Sequence, residues 1–268
     1  MKSIDKAKSK KQKVKSEEYS SLTIHPFSLS AFQLHRYNRN ILIPQIGEKG
    51  QEKLKQAKIL VCGAGGLGST VLANLASIGI GTIGIIDNDV LEISNLNRQY
   101  IHKFNSLGKL KTESAKNWIN EFNPDINVKT YSIRLDETNY QDIVKDYDFI
   151  MDCFDSFKSK FLLNEIAVKT GKTLIHGGVT EFFGQVSVII PGKTACLNCI
   201  LPKEDSYIVK GVLSPAVSTI ASIQSMEAVK LILGIGERLE NKLLSYNGLN
   251  MRFNTINLSR RTKCEVCF

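Results

Sequence analysis

A glycine-rich loop near residue 65 is the feature that most constrains how this chain can fold. Its four glycines are Gly63, Gly65, Gly66 and Gly68. A short apolar run at 58–62 precedes the loop, and small and apolar residues follow in a helical pattern from 66 to 78. Glycines between a strand and a helix let backbone N–H groups approach a phosphate, because no Cβ atom is in the way. The loop therefore predicts a unit of strand, loop and helix that binds a nucleotide.

Strand and helix patterns alternate along the rest of the chain. Further strands are predicted at 82–86, 127–132, 148–152, 173–176 and 185–190, and helices at 35–39, 48–57, 112–122, 158–169 and 214–233. Such alternation predicts an α/β fold of Rossmann type, with a mostly parallel sheet and helices on both faces. We expect a C-terminal antiparallel extension that includes the strand-like segment 251–258. No repeat or linker is evident after residue 30, so residues 28–268 are predicted to form one domain.

The net charge of +9 is unevenly distributed. Residues 1–16 contain seven lysines and a single acidic residue, Asp5. This segment has no apolar periodicity, so residues 1–27 are predicted to be a disordered basic arm that aids solubility, and no nucleic-acid partner is expected. No apolar run reaches the roughly 18 residues that span a bilayer, and no signal peptide is evident. We expect a cytoplasmic protein without a membrane partner.

Four of the six cysteines form two pairs with the same spacing. They are Cys196, Cys199, Cys264 and Cys267. In a reducing compartment, paired cysteines more often hold a metal ion than form disulfides. Four thiolates fill the tetrahedral coordination of Zn²⁺ and leave no position for water, so we predict a structural zinc site. The site would tie the C-terminal segment to the loop after the strand at 185–190.

Asp87 lies at the end of the second predicted strand, 19 residues after Gly68. A carboxylate at this position can accept hydrogen bonds from ribose hydroxyls. The glycine loop and Asp87 alone fit a nicotinamide-dependent oxidoreductase equally well.

Polar residues after the second and fourth strands favour a different chemistry. They are Asn95, Arg98, Gln99, Lys111 and Asp155. Arg and Lys at the carboxyl edge of a sheet suit a triphosphate, and a carboxylate there can hold Mg²⁺. Taken singly, Arg98 and Lys111 fit ordinary surface cations and Asp155 fits a helix cap. Their joint occurrence at strand ends favours a nucleotide site.

With two further motifs, Arg36-Tyr-Asn-Arg39 and Asp152-Cys-Phe-Asp155, the sequence resembles the MoeB/ThiF/HesA family. These adenylyltransferases are related to ubiquitin-activating enzymes and act on sulfur-carrier proteins in molybdopterin and thiamine biosynthesis. The resemblance covers about residues 30–268. It implies that ATP lies over the glycine loop with its ribose on Asp87, and that Mg²⁺ binds Asp155. Phosphate contacts are implied for Asn95, Arg98 and Lys111, and Gln99 is implied to bind the nucleotide. Arg39 would enter the active site of a second subunit, which makes the working unit a homodimer.

The resemblance also implies a reaction. ATP would adenylate the C-terminal glycine carboxylate of a small ubiquitin-like sulfur carrier ending in Gly-Gly, and pyrophosphate would leave. Some relatives form a covalent adduct through a cysteine in the loop that crosses the sheet, but residues 201–211 contain none. The two cysteines outside the metal pairs, Cys62 and Cys153, are expected in the core. We therefore expect the acyl-adenylate to be handed over directly and a separate protein to supply sulfur.

Three other interpretations remain open at this point. They are a nicotinamide-dependent oxidoreductase, a non-catalytic nucleotide-binding module, and an adenylating enzyme that acts on a peptide or a tRNA base. The four histidines show neither metal spacing nor a paired carboxylate, so we expect packing or surface roles for His25, His35, His102 and His176.

Overall fold

The computed structural model describes residues 28–201 and 211–268. The predicted basic arm, residues 1–27, lies outside the described residues, as does nearly all of the segment 201–211. The described residues build one mixed sheet with helices on both of its faces.

Eight strands form this sheet within the described ranges. They are β1 Lys58–Cys62, β2 Thr82–Ile86, β3 Asn127–Tyr131, β4 Phe149–Asp152, β5 Thr173–Thr180, β6 Phe183–Ile189, β7 Lys242–Asn247 and β8 Arg252–Asn257. Their order across the sheet is β3-β2-β1-β4-β5-β6-β7-β8. The strands from β3 to β5 pair in parallel, and β6, β7 and β8 continue the sheet in antiparallel pairs. The predicted parallel sheet with an antiparallel C-terminal extension is confirmed.

The helices connect and cover these strands. They are α1 Ala31–Arg36, α2 Asn38–Ile41, α3 Gly47–Gln56, α4 Gly66–Ile78, α5 Lys111–Phe122, α6 Tyr140–Val144, α7 Phe157–Thr170, α8 Leu197–Ile200 and α9 Ser214–Leu233. Two 3-10 turns, Ile93–Asn95 and Phe104–Ser106, lie between β2 and α5. The predicted helices 66–78 and 214–233 have the observed bounds, whereas α6 and β7 were not predicted.

The strand β1 shows how the sequence builds two cores. Successive side chains of a strand point to opposite faces of the sheet. Ile59 and Val61 join the core under α4, α5 and α9, while Leu60 and Cys62 join the core under α6 and α7. Because both faces are covered, the central strand is apolar along nearly its whole length, as is typical of a parallel sheet.

The longest helix, α9, is long and apolar enough to span a bilayer by length and composition, although no such run was evident from the sequence. Half of the most apolar 18-residue stretch of this helix is buried within the fold. Val217 and Ile220 lie in the core beside α4, and Gly184 of β6 lies so close that a Cβ atom there would meet the Ile220 side chain at 2.2 Å. The helix is therefore accounted for as a core element.

The topology brings three loops together at one edge of the sheet. Parallel strands present their carboxyl ends at the same edge, where ligands of α/β folds bind. The segments that follow β1, β2 and β4 begin at residues 63, 87 and 153. They carry the glycine loop, Asp87 and Asp155, so the predicted nucleotide residues meet at this edge.

Candidate active site

The glycine loop is held tightly between β1 and α4. Gly63 has φ +102°, and its N–H donates to the carbonyl of Ile86 at 2.8 Å. Gly68 packs directly on this turn, since a Cβ atom on Gly68 would lie 1.9 Å from the Gly63 carbonyl oxygen. Both positions require glycine, one for its backbone conformation and the other for close approach.

The first turn of α4 presents free backbone donors toward the same edge. Gly65 precedes the helix, and no side chain caps the N–H groups that follow it. Uncapped N–H groups and the helix dipole favour an anion at such a terminus. A Cβ atom on Gly65 would meet only the Gln99 side chain, at 3.7 Å, so the space above this glycine is open.

Arg98 and Gln99 lie over this helix start. The aliphatic part of Arg98 would contact a Cβ atom on Gly66 at 3.6 Å, and its guanidinium donates to Ser94 O and Asn97 Oδ1. Gln99 is buried, and its Oε1 atom has no hydrogen-bond partner. The donor atom of this side chain, Nε2, lies 3.7 Å from the position of a Cβ atom on Gly65, so it is the atom that could donate to a ligand over the glycine loop. The structure thus brings both predicted residues to the glycine loop.

Asp87 fixes the turn after β2. One carboxylate oxygen accepts from Ala64 N at 2.7 Å and the other from Asp89 N at 2.8 Å. Burial raises the pKa of Asp87 above its usual range, although the two backbone N–H groups act in the opposite direction. Asp87 therefore holds the glycine loop directly.

Lys111 begins α5 at the floor of a cleft. Its Nζ atom lies 2.7 Å from Asp89 Oδ2. The cleft has a volume of about 210 Å³ and is lined by Asp89, Val90, Glu92, Asn95 and Lys111. Asn95 closes the 3-10 turn beside it, where its Oδ1 accepts from Glu92 N. Lys111 and Asn95 thus share one cleft, and Asp89, for which the sequence suggested no separate role, lines it with them.

Asp155 lies in the short loop between β4 and α7 and is exposed. The helix cap is supplied by Ser156, whose Oγ accepts from Ser159 N at 3.2 Å. The backbone of this loop packs on the glycine loop, because a Cβ atom on Gly63 would lie 2.7 Å from the Cys153 carbonyl oxygen. Asp155 is thus an exposed carboxylate in a loop that packs on the glycine loop, and its chemistry fits a hard cation such as Mg²⁺.

Arg39 lies away from the glycine loop of its own chain. The neighbouring Tyr37 is buried against Gly79, which ends α4, and its hydroxyl accepts from Asn123 at the end of α5. The 13-residue helix α4 is about 20 Å long, and the glycine loop lies at its other end. Arg39 itself is exposed on α2.

The four paired cysteines form a compact buried cluster beside α8. The Sγ atoms of Cys196 and Cys264 lie 3.7 Å apart, and those of Cys199 and Cys267 lie 3.6 Å apart. All four ligand atoms lie within 4.8 Å of one another. Zinc–sulfur bonds of about 2.3 Å in a tetrahedron place neighbouring sulfur atoms about 3.8 Å apart. The cluster therefore fits a zinc ion, and the Arg261 N–H that lies 3.4 Å from Cys199 Sγ suits a thiolate ligand.

Comparison with known proteins identifies the family of this chain. A model described as the ThiF family matches residues 37–266. The chain belongs to the ThiF family. The predicted resemblance is confirmed.

Among its relatives is the SAMP-activating enzyme E1 of Haloferax volcanii, 36% identical over 90% of this chain and 91% of that protein. The sulfur carrier protein adenylyltransferase of Thermus thermophilus is 36% identical over 88% of this chain and 91% of its own length. Among solved structures, E. coli MccB with AMPCPP and MccA has a TM-score of 0.77 at 30% identity and covers 87% of this chain and 74% of that one. These ThiF-family relatives favour adenylyl transfer over hydride transfer, so the chain is an adenylyltransferase that uses ATP.

Two histidines of this ThiF-family chain, His102 and His176, are buried, in agreement with the expected packing role, but the prediction that no histidine has a paired carboxylate is wrong for His176. His176 does have a paired carboxylate, because its Nδ1 atom lies 2.7 Å from Asp152 Oδ2 in the core. His102 connects the glycine loop to α5 through Ala64 O at 3.0 Å and Ser114 Oγ at 2.9 Å. Burial lowers the pKa of both histidines below the usual value. Sequence spacing contains no sign of either contact, since both arise from strand and loop packing.

The two cysteines outside the cluster are buried, as predicted. Cys62 ends β1 and Cys153 follows β4. Burial raises the pKa of both thiols, so neither is a reactive thiolate.

Proposed function

We propose that this ThiF-family enzyme uses ATP to adenylate the C-terminal glycine of a small ubiquitin-like sulfur carrier that ends in Gly-Gly. The main support for this proposal is that the start of α4, which no side chain caps, lies at the same edge of the sheet as four polar residues. They are Arg98, Gln99, Lys111 and Asp155. The relative named as a sulfur carrier protein adenylyltransferase matches this chain over 91% of its own length, which supports a carrier as the second substrate.

Each residue has a distinct part in this proposal. The N–H groups of α4 and the side chains of Asn95, Arg98 and Lys111 bind the phosphates, Gln99 contributes to nucleotide binding, and Asp87 accepts hydrogen bonds from the ribose hydroxyls. Lys111 and Arg98 stabilise the charge that grows on the α-phosphate and the departing pyrophosphate. The reaction needs no protein nucleophile, because the carrier carboxylate attacks the α-phosphate directly.

Metal ions have two separate roles. Asp155 would hold Mg²⁺, which when bound neutralises phosphate charge. The cluster of Cys196, Cys199, Cys264 and Cys267 would hold a structural Zn²⁺ that leaves no open position.

The proposed working unit is a homodimer in the cytoplasm, with residues 28–268 as its adenylating domain. Arg39 lies about one helix length from its own glycine loop, which supports a role in the site of the partner subunit. Because Cys62 and Cys153 are buried, the carrier leaves as the acyl-adenylate and a second protein supplies sulfur.

The test is ATP–pyrophosphate exchange with purified protein, Mg²⁺ and a panel of carriers ending in Gly-Gly. Exchange with one intact carrier, but not with the same carrier lacking its last two residues, is expected. Arg98→Ala and Asp155→Ala should abolish this exchange, whereas Lys53→Ala, which changes an exposed cation on α3, should not. Exchange that survives both active-site changes would reject the assignments.

A second candidate is adenylation of a peptide. The similarity to MccB bound to AMPCPP and MccA favours it. The same assay separates the two, because a peptide-specific enzyme shows exchange with MccA-like peptides and none with the carriers.

A further inference from the structure

A buried charged cluster joins β4, α7 and β5 directly behind the active-site edge. Asp152 ends β4, Lys160 lies in α7 and His176 lies in β5. Lys160 Nζ is 3.1 Å from Asp152 Oδ1, and His176 Nδ1 is 2.7 Å from Asp152 Oδ2. All three residues are buried.

Protonation in the cluster follows from these contacts. Burial acts to raise the pKa of Asp152, but the charge of Lys160 and the hydrogen bond from His176 outweigh it and lower the pKa. Burial lowers the pKa of His176, so the ring is neutral and donates from Nδ1 to the carboxylate. Its Nε2 atom then accepts from Gln185 on β6 at 3.1 Å.

The ion pair between Asp152 and Lys160 connects the two ends of the loop that carries Asp155. Asp152 and Lys160 are eight residues apart, and the segment between them begins at Cys153 and contains Asp155. Asp152 Oδ1 also accepts from Phe154 N at 3.3 Å, and Lys160 Nζ donates to Gly177 O at 2.6 Å. The pair therefore fixes both ends of this loop and anchors it to β5.

The loop is also fixed from the opposite side. Gly63 of the glycine loop packs against the backbone of Cys153 and Phe154. The position of Asp155 relative to the glycine loop therefore depends on where the Asp152–Lys160 pair holds the backbone between them.

Stability alone does not explain a buried ion pair at this place. Removing two charges from water is costly, and apolar side chains of similar size often stabilise a core as well or better. In some proteins, buried polar or ionic groups specify a geometry that apolar contacts leave open. That property matters most where a carboxylate has to be placed toward a metal ion and phosphates.

We infer that Asp152 and Lys160, with His176 completing the hydrogen bonds of Asp152, are positioning residues that hold Asp155 at the distance from the glycine loop needed to bind a divalent cation with ATP. This inference rests on the proposed role of Asp155. None of the three residues contacts the substrate in this arrangement. Their effect passes through the backbone of residues 153–155.

The test measures binding of Mn²⁺ by electron paramagnetic resonance, with protein saturated by a non-hydrolysable ATP analogue. The double variant Asp152→Asn/Lys160→Met removes both charges together, so neither is left buried without a partner. We expect Mn²⁺ to bind about tenfold or more weakly, as is typical when residues behind a metal ligand are lost. The melting temperature should stay close to that of the unchanged protein.

Two control variants test whether a loss of Mn²⁺ binding is specific to the Asp152–Lys160 ion pair. Lys158→Met removes an exposed lysine from the same helix and should leave Mn²⁺ binding unchanged. Lys160→Arg keeps the charge and should retain most of the affinity, which a merely space-filling role for Lys160 does not predict. If the double variant does not fold, Asp152→Asn/Lys160→Gln takes its place with the same expected outcome, because it also leaves neither charge unpaired and the shorter Gln side chain cannot reach Gly177 O as Lys160 does.

The decisive comparison is with Asp155→Asn. If both Asp155→Asn and the double variant weaken Mn²⁺ binding, the inference holds. Weak binding by Asp155→Asn with full binding by the folded double variant overturns the inference and leaves the proposed function intact. Full binding by Asp155→Asn removes the proposed role of Asp155, and the inference falls with it.

Discussion

The ammonium group of Lys111 lies 2.7 Å from a carboxylate oxygen of Asp89, at the start of α5. The two partners differ in exposure, since the Lys111 side chain is 8% exposed and the Asp89 side chain 59%. Asp89 thus holds the nearly buried ammonium group of Lys111 beside the cleft that both residues line. The lysine is ordered before a ligand arrives, which lowers the entropy cost of using it.

Replacing this lysine should impair catalysis more than stability. Lys111→Met removes a cation aimed at the charge that develops during adenylyl transfer. Loss of one such preorganised group typically lowers kcat by about 10²- to 10³-fold. ATP–pyrophosphate exchange measures the loss, and Lys109→Met, which changes an exposed lysine nearby, is the matched control. Equal exchange by the two variants would remove Lys111 from the reaction.

Arg39 should act in the active site of the partner subunit. Arg39→Ala and Lys111→Met are each expected to be inactive alone, whereas a mixture of the two recovers activity. In a randomly mixed homodimer population, half of the molecules are mixed dimers with one intact site, so about a quarter of normal exchange is expected. The measurement requires unfolding and refolding or co-expression of the two chains. A mixture as inactive as its components argues that Arg39 does not act across the dimer.

The cysteine cluster should affect stability and metal content. Cys264→Ser leaves three thiolates and frees the C-terminal segment, which should lower the melting temperature by about 5 °C or more. Bound zinc, measured by mass spectrometry of the purified protein, should fall from one ion per chain toward none. Cys62→Ala is the control, because that buried cysteine lies outside the cluster and its loss should leave zinc content unchanged. Unchanged zinc and melting in Cys264→Ser would reject the site.

Much of this site follows from the sequence because its parts lie at strand ends. The glycine loop, Asp87 and Asp155 come after short apolar strands, and a parallel sheet places such positions at one edge. The pair of Asp152 and His176 could not be predicted in the same way. These residues face each other only because β4 and β5 are neighbours in a particular register, and 24 residues separate them in the chain. Strand order and register are not contained in local patterns.

Local features of the sequence explain why the strand β7 and the helix α6 were not predicted. The strand β7, Lys242–Asn247, has only one buried residue, Tyr246, so its sequence lacks the regular alternation of a half-buried strand. The helix α6 has only five residues, which is too short for a helical period to stand out. By contrast, β1, β2 and α4 combine strong apolar patterns with glycines at their ends, and their predicted bounds agree with the structure.

Stability should fall as the pH is lowered from about 7 to 5, in part through His176. Its pKa in the folded protein lies below the usual 6.5, so the unfolded chain binds a proton that the folded chain does not. The free energy of unfolding then rises with pH in this window and decreases on acidification. His176→Gln removes this contribution, and the slope should become shallower by up to about 1.4 kcal/mol per pH unit.

Denaturant unfolding at several pH values measures that slope. His102 is also buried with a lowered pKa, so part of the pH dependence remains in His176→Gln. His35→Gln changes an exposed histidine and should follow the unchanged protein at every pH. If His176→Gln and His35→Gln give the same slope, His176 is not a source of the acid sensitivity.

Changing two glycines of the loop to alanine should have different effects, one on stability and the other on ATP binding. A methyl group on Gly68 would lie 1.9 Å from the Gly63 carbonyl oxygen, so Gly68→Ala has to displace the backbone of the loop. A methyl group on Gly65 would meet only Gln99, at 3.7 Å, and it would occupy the open space over the start of α4. Gly68→Ala is therefore expected to lower the melting temperature by several degrees, whereas Gly65→Ala should keep its stability and lose ATP affinity. Thermal unfolding and equilibrium ATP binding separate the two effects, and normal ATP binding by a stable Gly65→Ala protein would show that phosphate does not lie over this helix start.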